Sequence, residues 1–574
     1  MVTVTSMPAP VIPSRGVAAP RDGTAGLRPE TLAVLAAVAP WWQTRAESAG
    51  LTGAWLDVRH ALVAQAPGEL DGLAPSPSIG DATDGHDLGR AYVESLSDVT
   101  RSAHGRHYTP AVLAGRLWEM ARAGLNWNSE LHQITGLVRD PACGAGALLI
   151  PVIREHLRAS THIDPSLVIA ALGSRIEAID QDEWAVWLTN VVLATEALPL
   201  IAKIPASIRR PFPAVATVGD GLADRLPKAM VTLMNPPYGR LKLSDSDRAR
   251  FGDVLYGHAN LYGLFMAAGA RNLADDGVLA ALVPTSFSSG LYFHKLREFL
   301  SERAPLSSVT FVNDRSGVFA GVLQETCLAV FTRKRGRSVE ITRSNGHLTH
   351  VAKVPTPSRS DPWLLPRESV DAALAAAASK LPLTLRDAGW HASTGPLVWN
   401  RRRDDLFTRP GTNRAYVLWG ADIDGGEIHR DKGRDSMRWM KLRDDRDRAT
   451  NLLDGPAVLV QRTTSPEQSR RLVAVDLSPE VLNELGGAVV VENHVNVLRP
   501  TALLPLLSRE TLARVLATQT LDRLMRCISG SVAVSSYELA ALPLPDAATL
   551  DSWEGLTGME LERAVAAAYR GKAS

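Results

Sequence analysis

The strongest constraint on how this chain can fold is a succession of four short apolar runs, each ending in a polar residue. They are Leu137-Val138-Arg139-Asp140, Ile176-Glu177-Ala178-Ile179-Asp180, Ala216-Thr217-Val218-Gly219-Asp220 and Val231-Thr232-Leu233-Met234-Asn235. Apolar runs of this length, bounded by Gly, Pro and Asp, read as buried strands. The first passes through a Gly-rich turn into the opening of a helix, as at the first turn of a doubly wound sheet. Four such exits bring their polar residues to the carboxyl edge of one sheet, where ligands bind in this architecture. The expected fold class is therefore α/β, with a doubly wound Rossmann-like domain.

Each exit suggests its own chemistry. In Asp140-Pro141-Ala142-Cys143-Gly144-Ala145-Gly146 the small residues let the backbone approach a ligand closely. Asp180 can take both hydroxyls of a ribose, and Asp220 can accept from an adenine amine. Either acid taken alone reads more readily as a solvated loop or a helix cap. At the fourth exit, Asn235-Pro236-Pro237-Tyr238 is a proline-stiffened turn with an amide and an aromatic ring at its mouth. The Asn235 side-chain carbonyl and the Pro236 backbone carbonyl can receive both protons of one amino group on a flat ring, with Tyr238 over its face. That would favour a pyramidal nitrogen with its lone pair free; an ordinary Pro-rich strand exit is the competing explanation. Upstream, Gly105-Arg106-His107-Tyr108-Thr109-Pro110 precedes a helix carrying Val112, Leu113, Leu117 and Met120. Thr109 is suited to the N-cap and Pro110 to the first helical position, leaving free N–H groups for a carboxylate or simply a capped helix.

Composition narrows the context. At 574 residues two or three domains are expected, and 45% apolar with 21% charged residues describes a globular protein. A net charge of +1 leaves any nucleic-acid binding to local basic surfaces. Cys143, Cys327 and Cys527 match no metal-ligand spacing, so no metal and no disulfide framework is expected, and a reducing compartment is. With neither a signal-like start nor a membrane-length apolar run, the expectation is cytoplasmic and without a membrane partner.

Along the chain, residues 1–27 read as a disordered tail and the following stretch to about 66 as a small helical extension with a break at Pro40, the two together filling 1–95. Beyond the four exits, Leu261–Leu273 is expected helical, Gly277–Pro284 a strand and Leu291–Leu300 a helix, and Val309–Val312 should pair with Cys327–Phe331. Residues 336–385 read as a connection, 386–550 as a second unit of short apolar runs, and 551–574 as a C-terminal helix. In the second unit Arg401, Arg402, Arg403, Arg430, Lys432, Arg434, Arg438, Lys441, Arg443, Arg462, Arg470 and Arg471 gather around Trp399 and Trp439. They suit phosphate contact, or a solvated face of mixed charge given Asp431 and Asp435 among them. His494 has no partner at metal spacing and is expected to be structural.

The motifs HYTP (His107–Pro110), DPACGAG (Asp140–Gly146), AID (Ala178–Asp180), GDG (Gly219–Gly221) and NPPY (Asn235–Tyr238) resemble those of amino-group DNA methyltransferases that use S-adenosylmethionine. Their order resembles the gamma group of adenine-N6 enzymes, and Gly317–Phe331 resembles the PstI/BsuBI-type modification methylases. The resemblance covers about residues 100–335, and the C-terminal half more loosely. It implies a methyltransferase domain over 96–335 and a C-terminal mixed α/β target-recognition domain, the end of which Ile528–Pro545 resembles. It further implies that Asp180 holds the cofactor ribose and Asp220 its adenine amine. Thr109 with Asp140, Pro141, Ala142, Cys143, Gly144 and Gly146 would hold the methionine end. Asn235, Pro236, Pro237 and Tyr238 would hold a flipped target adenine, with Phe319 over its second face. Double-stranded DNA is the implied partner, and a restriction endonuclease on another chain is compatible with it. Protein-glutamine methyltransferases also use NPPY, and a DNA-binding specificity module without catalysis is the alternative from another class. A cytosine-C5 enzyme would carry a Pro-Cys pair where this chain has Asn-Pro-Pro-Tyr.

Overall fold

The computed structural model describes residues 24, 26–80, 83–98, 101, 108–127, 133–312, 325–334, 336–345, 347–358, 360–429, 436–464, 468–501, 503–531 and 533–570. The expected tail up to residue 23, His107 and Phe319 lie outside the described residues. Two compact units emerge. One draws on the chain up to Pro284 with Glu298–Val339 and Ser344–His347; the other draws on Thr285–Arg297, Glu340–Arg343 and the chain from Leu348 onwards.

In the first unit the strands are β1 (Val138–Asp140), β2 (Ile176–Asp180), β3 (Ala216–Val218), β4 (Ala229–Met234), β5 (Arg240–Leu241), β6 (Ala259–Asn260), β7 (Leu273–Pro284), β8 (Leu306–Val312) and β9 (Thr326–Thr332). Its sheet runs β8-β9-β7-β4-β1-β2-β3. Val138 of β1 faces Ile176 of β2 on one side and Val231 of β4 on the other, all parallel. β3 and β7 extend the parallel array, while β9 is antiparallel to β7 and β8, with Phe311 opposite Cys327. The chain builds outward through β1, β2 and β3, then returns to the other flank of β1 as β4. That reversal opens a crevice at the carboxyl ends of β1 and β4, and all four expected exits lie along this edge.

Strands buried on both faces must be almost wholly apolar, as β4, Thr232 apart, and most of β7 are. The helix Glu183–Ile201 is long and apolar enough to cross a membrane, yet 78% of its most apolar window is buried inside the protein. It packs against β2, β3 and the helices Val38–Ser48, Gly85–Ser95, Ile150–Ala159 and Pro165–Arg175, so apolar residues are needed on every side. Its buried Asn190 accepts from the backbone N–H groups of Val215 and Ala216 at 2.9 and 3.1 Å, satisfying the start of β3. The N-terminal helices Pro29–Ala36 and Val38–Ser48 share this core. They break at Ala37 and not at Pro40, because a proline in the first turn removes an N–H that has no helical acceptor.

The second unit is mixed α/β. An antiparallel sheet joins Trp390–Thr394, Val495–Pro500, Ala457–Gln461 and Ala474–Leu477. A second sheet contains Arg414–Leu418 parallel to Val489–Val491. Residues 336–385, expected as a connection, instead carry the strands Ser338–Ser344 and Leu348–Pro355 and the helix Ala372–Ala378. Leu374 and Ala378 share a core with Trp390, Leu521 and, from the last helix Gly558–Ala568, Leu561 and Val565.

Several of the expected phosphate ligands are internal. Arg438 reaches both carboxylate oxygens of Asp422, at 2.8 and 2.6 Å, with both residues buried. Arg402 bridges Asp405 and Asp447, and its hydrogen bonds hold the Asp447 carboxyl down to about 2. Arg471 is wholly buried, its guanidinium on the Ser531 carbonyl at 2.8 Å and its N–H on Asp522 at 2.5 Å. Asp422 holds Arg438, and Asp405 with Asp447 holds Arg402, while the Arg471 guanidinium is taken by the Ser531 carbonyl. Arg401, Arg403, Lys441, Arg443 and Arg470 stay exposed, Arg403 lying 5.0 Å over the ring of Trp399; Arg430, Lys432 and Arg434 lie outside the described residues. Arg438→Ala strips a buried carboxylate of its guanidinium and should destabilise the protein by about 3–5 kcal/mol. Arg401→Ala, at an exposed site, should stay within about 0.5 kcal/mol in the same denaturant titration.

Candidate active site at the carboxyl edge

The first exit is a turn held almost entirely by backbone donors. Ala142 N–H donates to Asp140 Oδ1 at 3.1 Å, Cys143 N–H to the Ile179 carbonyl at 3.0 Å, and Gly144 N–H to Asp180 Oδ2 at 2.9 Å. Thr189, from the core helix, donates to the Gly144 carbonyl at 2.7 Å. Gly144 and Gly146 sit at φ +51° and +82°, where a side chain would be strained. A Cβ on Gly146 would press on Thr189 at 3.1 Å, whereas one on Gly144 would meet nothing within 4 Å, so Gly144 borders open space. The neighbouring exits lock onto this turn. Asp180 Oδ1 accepts from Asp182 N–H at 2.9 Å, and the Asp180 carbonyl accepts from Gly219 N–H at 2.9 Å. Asp220 is half-buried and accepts from Leu222 N–H at 2.9 Å, while a Cβ on Gly221 would lie 1.8 Å from the Pro141 carbonyl oxygen.

These contacts set the electrostatics. Burial pushes the Asp140 carboxyl up to about 8, with the Asp180 charge adding to the rise and the Ala142 N–H opposing it. Burial likewise pushes the Cys143 thiol well above its ordinary value. A buried neutral thiol is no nucleophile, so Cys143 serves the turn by its size.

At the fourth exit Asn235 and Tyr238 are half-buried and Pro236 is buried. Asn235 Nδ2 donates to Thr109 Oγ1 at 2.9 Å. Tyr238 Oη lies 2.9 Å from Asn235 Oδ1 and 3.1 Å from the Leu282 carbonyl of β7. The Tyr238 ring meets Tyr262 edge-on, with centroids 6.1 Å apart. Thr109 is not the expected cap: the helix Ala111–Gly124 has Pro110 at its N-cap position and no side-chain cap. The hydroxyl that would have capped the helix receives the Asn235 amide instead.

Behind the first turn stands a wall that the strand-exit motifs do not mark. The helix Gly85–Ser95 brings His86 Nδ1 within 2.9 Å of the Tyr108 hydroxyl. A Cβ on Gly89 would sit 2.8 Å from the Tyr108 ring and 3.1 Å from Ala145. A glycine inside a helical pattern was the available signal of such a close approach.

Two variants test this geometry. Between about pH 4 and 8 native Asp140 keeps a proton that the unfolded chain, with a carboxyl near 3.8, has lost. Its contribution to stability therefore falls as pH rises through that window. Asp140→Asn keeps an acceptor for Ala142, so the fall in unfolding temperature from pH 5 to pH 8 should be smaller than in the parent chain. Gly221→Ala should displace the Pro141 turn and cost at least about 1–3 kcal/mol in chemical denaturation.

The Eco57I restriction-modification methylase family matches residues 231–319, a segment that contains the fourth exit. The type II methyltransferase M.PstI of Providencia stuartii is 27% identical over 342 residues, 56% of this chain and 65% of the relative. M.BsuBI of Bacillus subtilis, also a type II methyltransferase, is 24% identical over 327 residues, 54% of this chain and 64% of the relative. The chain thus aligns with slightly less than two thirds of either relative. Among solved structures, the type IIL restriction-modification enzyme MmeI in complex with DNA superposes with a TM-score of 0.47 at 14% identity, covering 87% of this chain and 80% of that one. The type IIG restriction endonuclease BpuSI gives 0.45 at 12% identity, covering 94% and 72%. With its strand-exit motifs, its matched segment and these two methyltransferase relatives, the chain is similar to the PstI/BsuBI-type restriction-modification methylases.

Proposed function

We propose that this chain transfers a methyl group from S-adenosylmethionine to adenine N6 in a specific duplex sequence, as a gamma-group enzyme and the modification arm of a restriction-modification system. The observation that carries the reading is the Asn235 amide, whose Nδ2 is engaged by Thr109 while Oδ1 faces the Tyr238 hydroxyl. An acceptor oxygen beside an aromatic ring, next to a glycine turn bordering open space, suits a flat ring with an exocyclic amine. The cofactor, when bound, supplies an electrophilic methyl group.

The open face at Gly144 admits the cofactor's methionine end, with Thr109 and the Asp140–Gly146 turn around it. Asp180 takes the ribose hydroxyls, and Asp220 takes the adenine amine. Asn235 Oδ1 and the Pro236 carbonyl accept the two protons of the target amine, which favours a pyramidal nitrogen with its lone pair directed at the methyl. Tyr238 stacks on the flipped base, and Phe319 covers its other face. In the second unit the exposed Arg401, Arg403, Lys441 and Arg470, with Trp399 beside Arg403, remain to meet phosphates and choose the sequence.

The test is expression in a host without adenine methylation, followed by sequencing that detects N6-methyladenine. Methylation confined to one sequence is expected; its absence from DNA carrying every short site would overturn the reading. Asn235→Ala should lower single-turnover methylation by about 100-fold or more with DNA affinity little changed, because the acceptor acts chiefly in the transition state. Tyr238→Ala should also weaken retention of the flipped base by about 1–3 kcal/mol, read with a fluorescent base analogue.

A further inference from the structure

Resting on the proposed reaction on DNA, we infer that His494 is a phosphate contact of the second unit, made only by the protonated imidazole and aimed by the buried carboxylate of Glu492. Both residues belong to the turn Glu492-Asn493-His494, which joins the strands Val489–Val491 and Val495–Pro500 and is closed by Val495 N–H on the Glu492 carbonyl at 3.0 Å. The Glu492 side chain is 1% exposed and that of His494 49%. Both Glu492 oxygens serve the histidine: Oε1 lies 2.6 Å from Nδ1, and Oε2 accepts from the His494 backbone N–H at 3.0 Å. Burying a carboxylate is costly unless a cation offsets it. Among the described residues, His494 is the one ion-pair partner of Glu492. The described part of the unit has two further histidine–carboxylate pairs, His350 with Glu340 and His429 with Glu427, and in both the partners are exposed. An exposed pair fixes little, so the buried acid sets His494 apart.

The consequence is a choice of tautomer. With Nδ1 against a carboxylate, the neutral ring carries its proton there and turns a bare Nε2 lone pair outward. A phosphate meets that lone pair as one acceptor meets another. Protonation puts a second N–H on Nε2 and makes the outward edge of the ring a cationic donor, while the Nδ1 side is unchanged. Nε2 has no hydrogen-bond partner among the described residues, which leaves its contact to a ligand.

The ring stands among basic groups. Arg462 donates its backbone N–H to the His494 carbonyl at 2.7 Å and its guanidinium to the Asn493 carbonyl at 3.0 Å. Leu397 flanks the same turn, donating to the Val491 carbonyl at 3.2 Å and accepting from Asn493 N–H at 2.9 Å. Trp399 and the exposed Arg401 and Arg403 follow Leu397 in the chain, so arginines proposed to meet phosphates spring from the stretch beside His494. Gly420 also approaches, a Cβ there meeting the His494 Cβ at 3.4 Å; it brings no charge, and Asp422 beyond it is taken up by Arg438. The charges that face the ring are therefore Glu492 and Arg462. The Glu492 carboxylate raises the imidazole above its ordinary value, while partial burial and the Arg462 charge oppose the rise. The cationic form is present below that raised value and lost as pH climbs through it.

Salt reads such a contact, because each phosphate neutralised on duplex DNA adds about 0.9 to the slope of log affinity against log salt. Binding is measured on a short duplex carrying the sequence that the chain methylates, or on mixed-sequence duplex should it methylate none. The parent chain is compared with His494→Gln, which keeps a polar side chain and cannot become cationic. At about pH 6 the parent slope should exceed that of the variant by about 0.9, and at about pH 9 the two should coincide. The affinity difference at the acid end should reach about fivefold at moderate salt. Glu492→Gln keeps an acceptor for Nδ1 without the charge, so the slope should be lost at lower pH than in the parent. Unfolding temperatures at both ends of the range show that each variant is folded. Equal slopes at the acid end, a difference that persists at the alkaline end, or an affinity difference without a slope difference, as a base contact or a structural histidine gives, would overturn the inference. An unmoved midpoint in Glu492→Gln would overturn the part given to Glu492. A chain that methylates no adenine yet shows the pH-dependent slope difference would overturn the reaction and leave the phosphate contact standing.

Discussion

The return of the chain from β3 to the far flank of β1 is the constraint on which the site depends. Had β4 continued outward beyond β3, the turn at Asp140–Gly146 and the turn at Asn235–Tyr238 would open at opposite ends of the parallel array. Because β4 pairs with β1, Val231 and Ile176 flank the same residue, Val138, and the two turns leave adjacent strands in the same direction. The approach at the third exit is closer still. Gly221 has room for no more than a hydrogen against the Pro141 carbonyl, so the third exit can fold against the first only with glycine at that position.

That convergence has an electrostatic consequence. Parallel strands with acids at their ends crowd like charges, and the backbone donors around them are finite. Asp180 takes Gly144 and Asp182 N–H groups on its two oxygens. Asp140, deeper and with Ala142 N–H on Oδ1, carries the burden of burial beside that charge and is pushed up to about 8.

The strand exits were legible because an apolar run closing on Asp, Gly or Asn is a local signal and the sheet follows from their succession. What escaped depends on partners distant in the chain. Arg438 finds Asp422 at a separation of 16 residues and Arg402 finds Asp447 at 45, so a basic cluster that reads as a phosphate surface loses members to ion pairs no local pattern displays. The helix Ala372–Ala378 escaped for another reason: its core face is mostly alanine, which lacks the contrast that marks an amphipathic helix. Thr109-Pro110 marked a helix start correctly within one residue, but that residue decides whether the hydroxyl meets the helix or Asn235.

The two ends of the edge differ in how their hydrogen bonds are made. Around the first three exits the donors are mainly backbone N–H groups, fixed in direction by the turns that carry them, so the acids there hold one geometry whether or not a ligand is present. At the fourth exit the partners are two hydroxyls, a side-chain amide and one carbonyl, and the Tyr238 proton can pass between Asn235 Oδ1 and Leu282 by rotation about a single bond. A rigid end suits a ligand that binds in the same way on every cycle. An exchangeable end can yield Asn235 Oδ1 to another donor, because the Tyr238 proton displaced from it has the Leu282 carbonyl within reach.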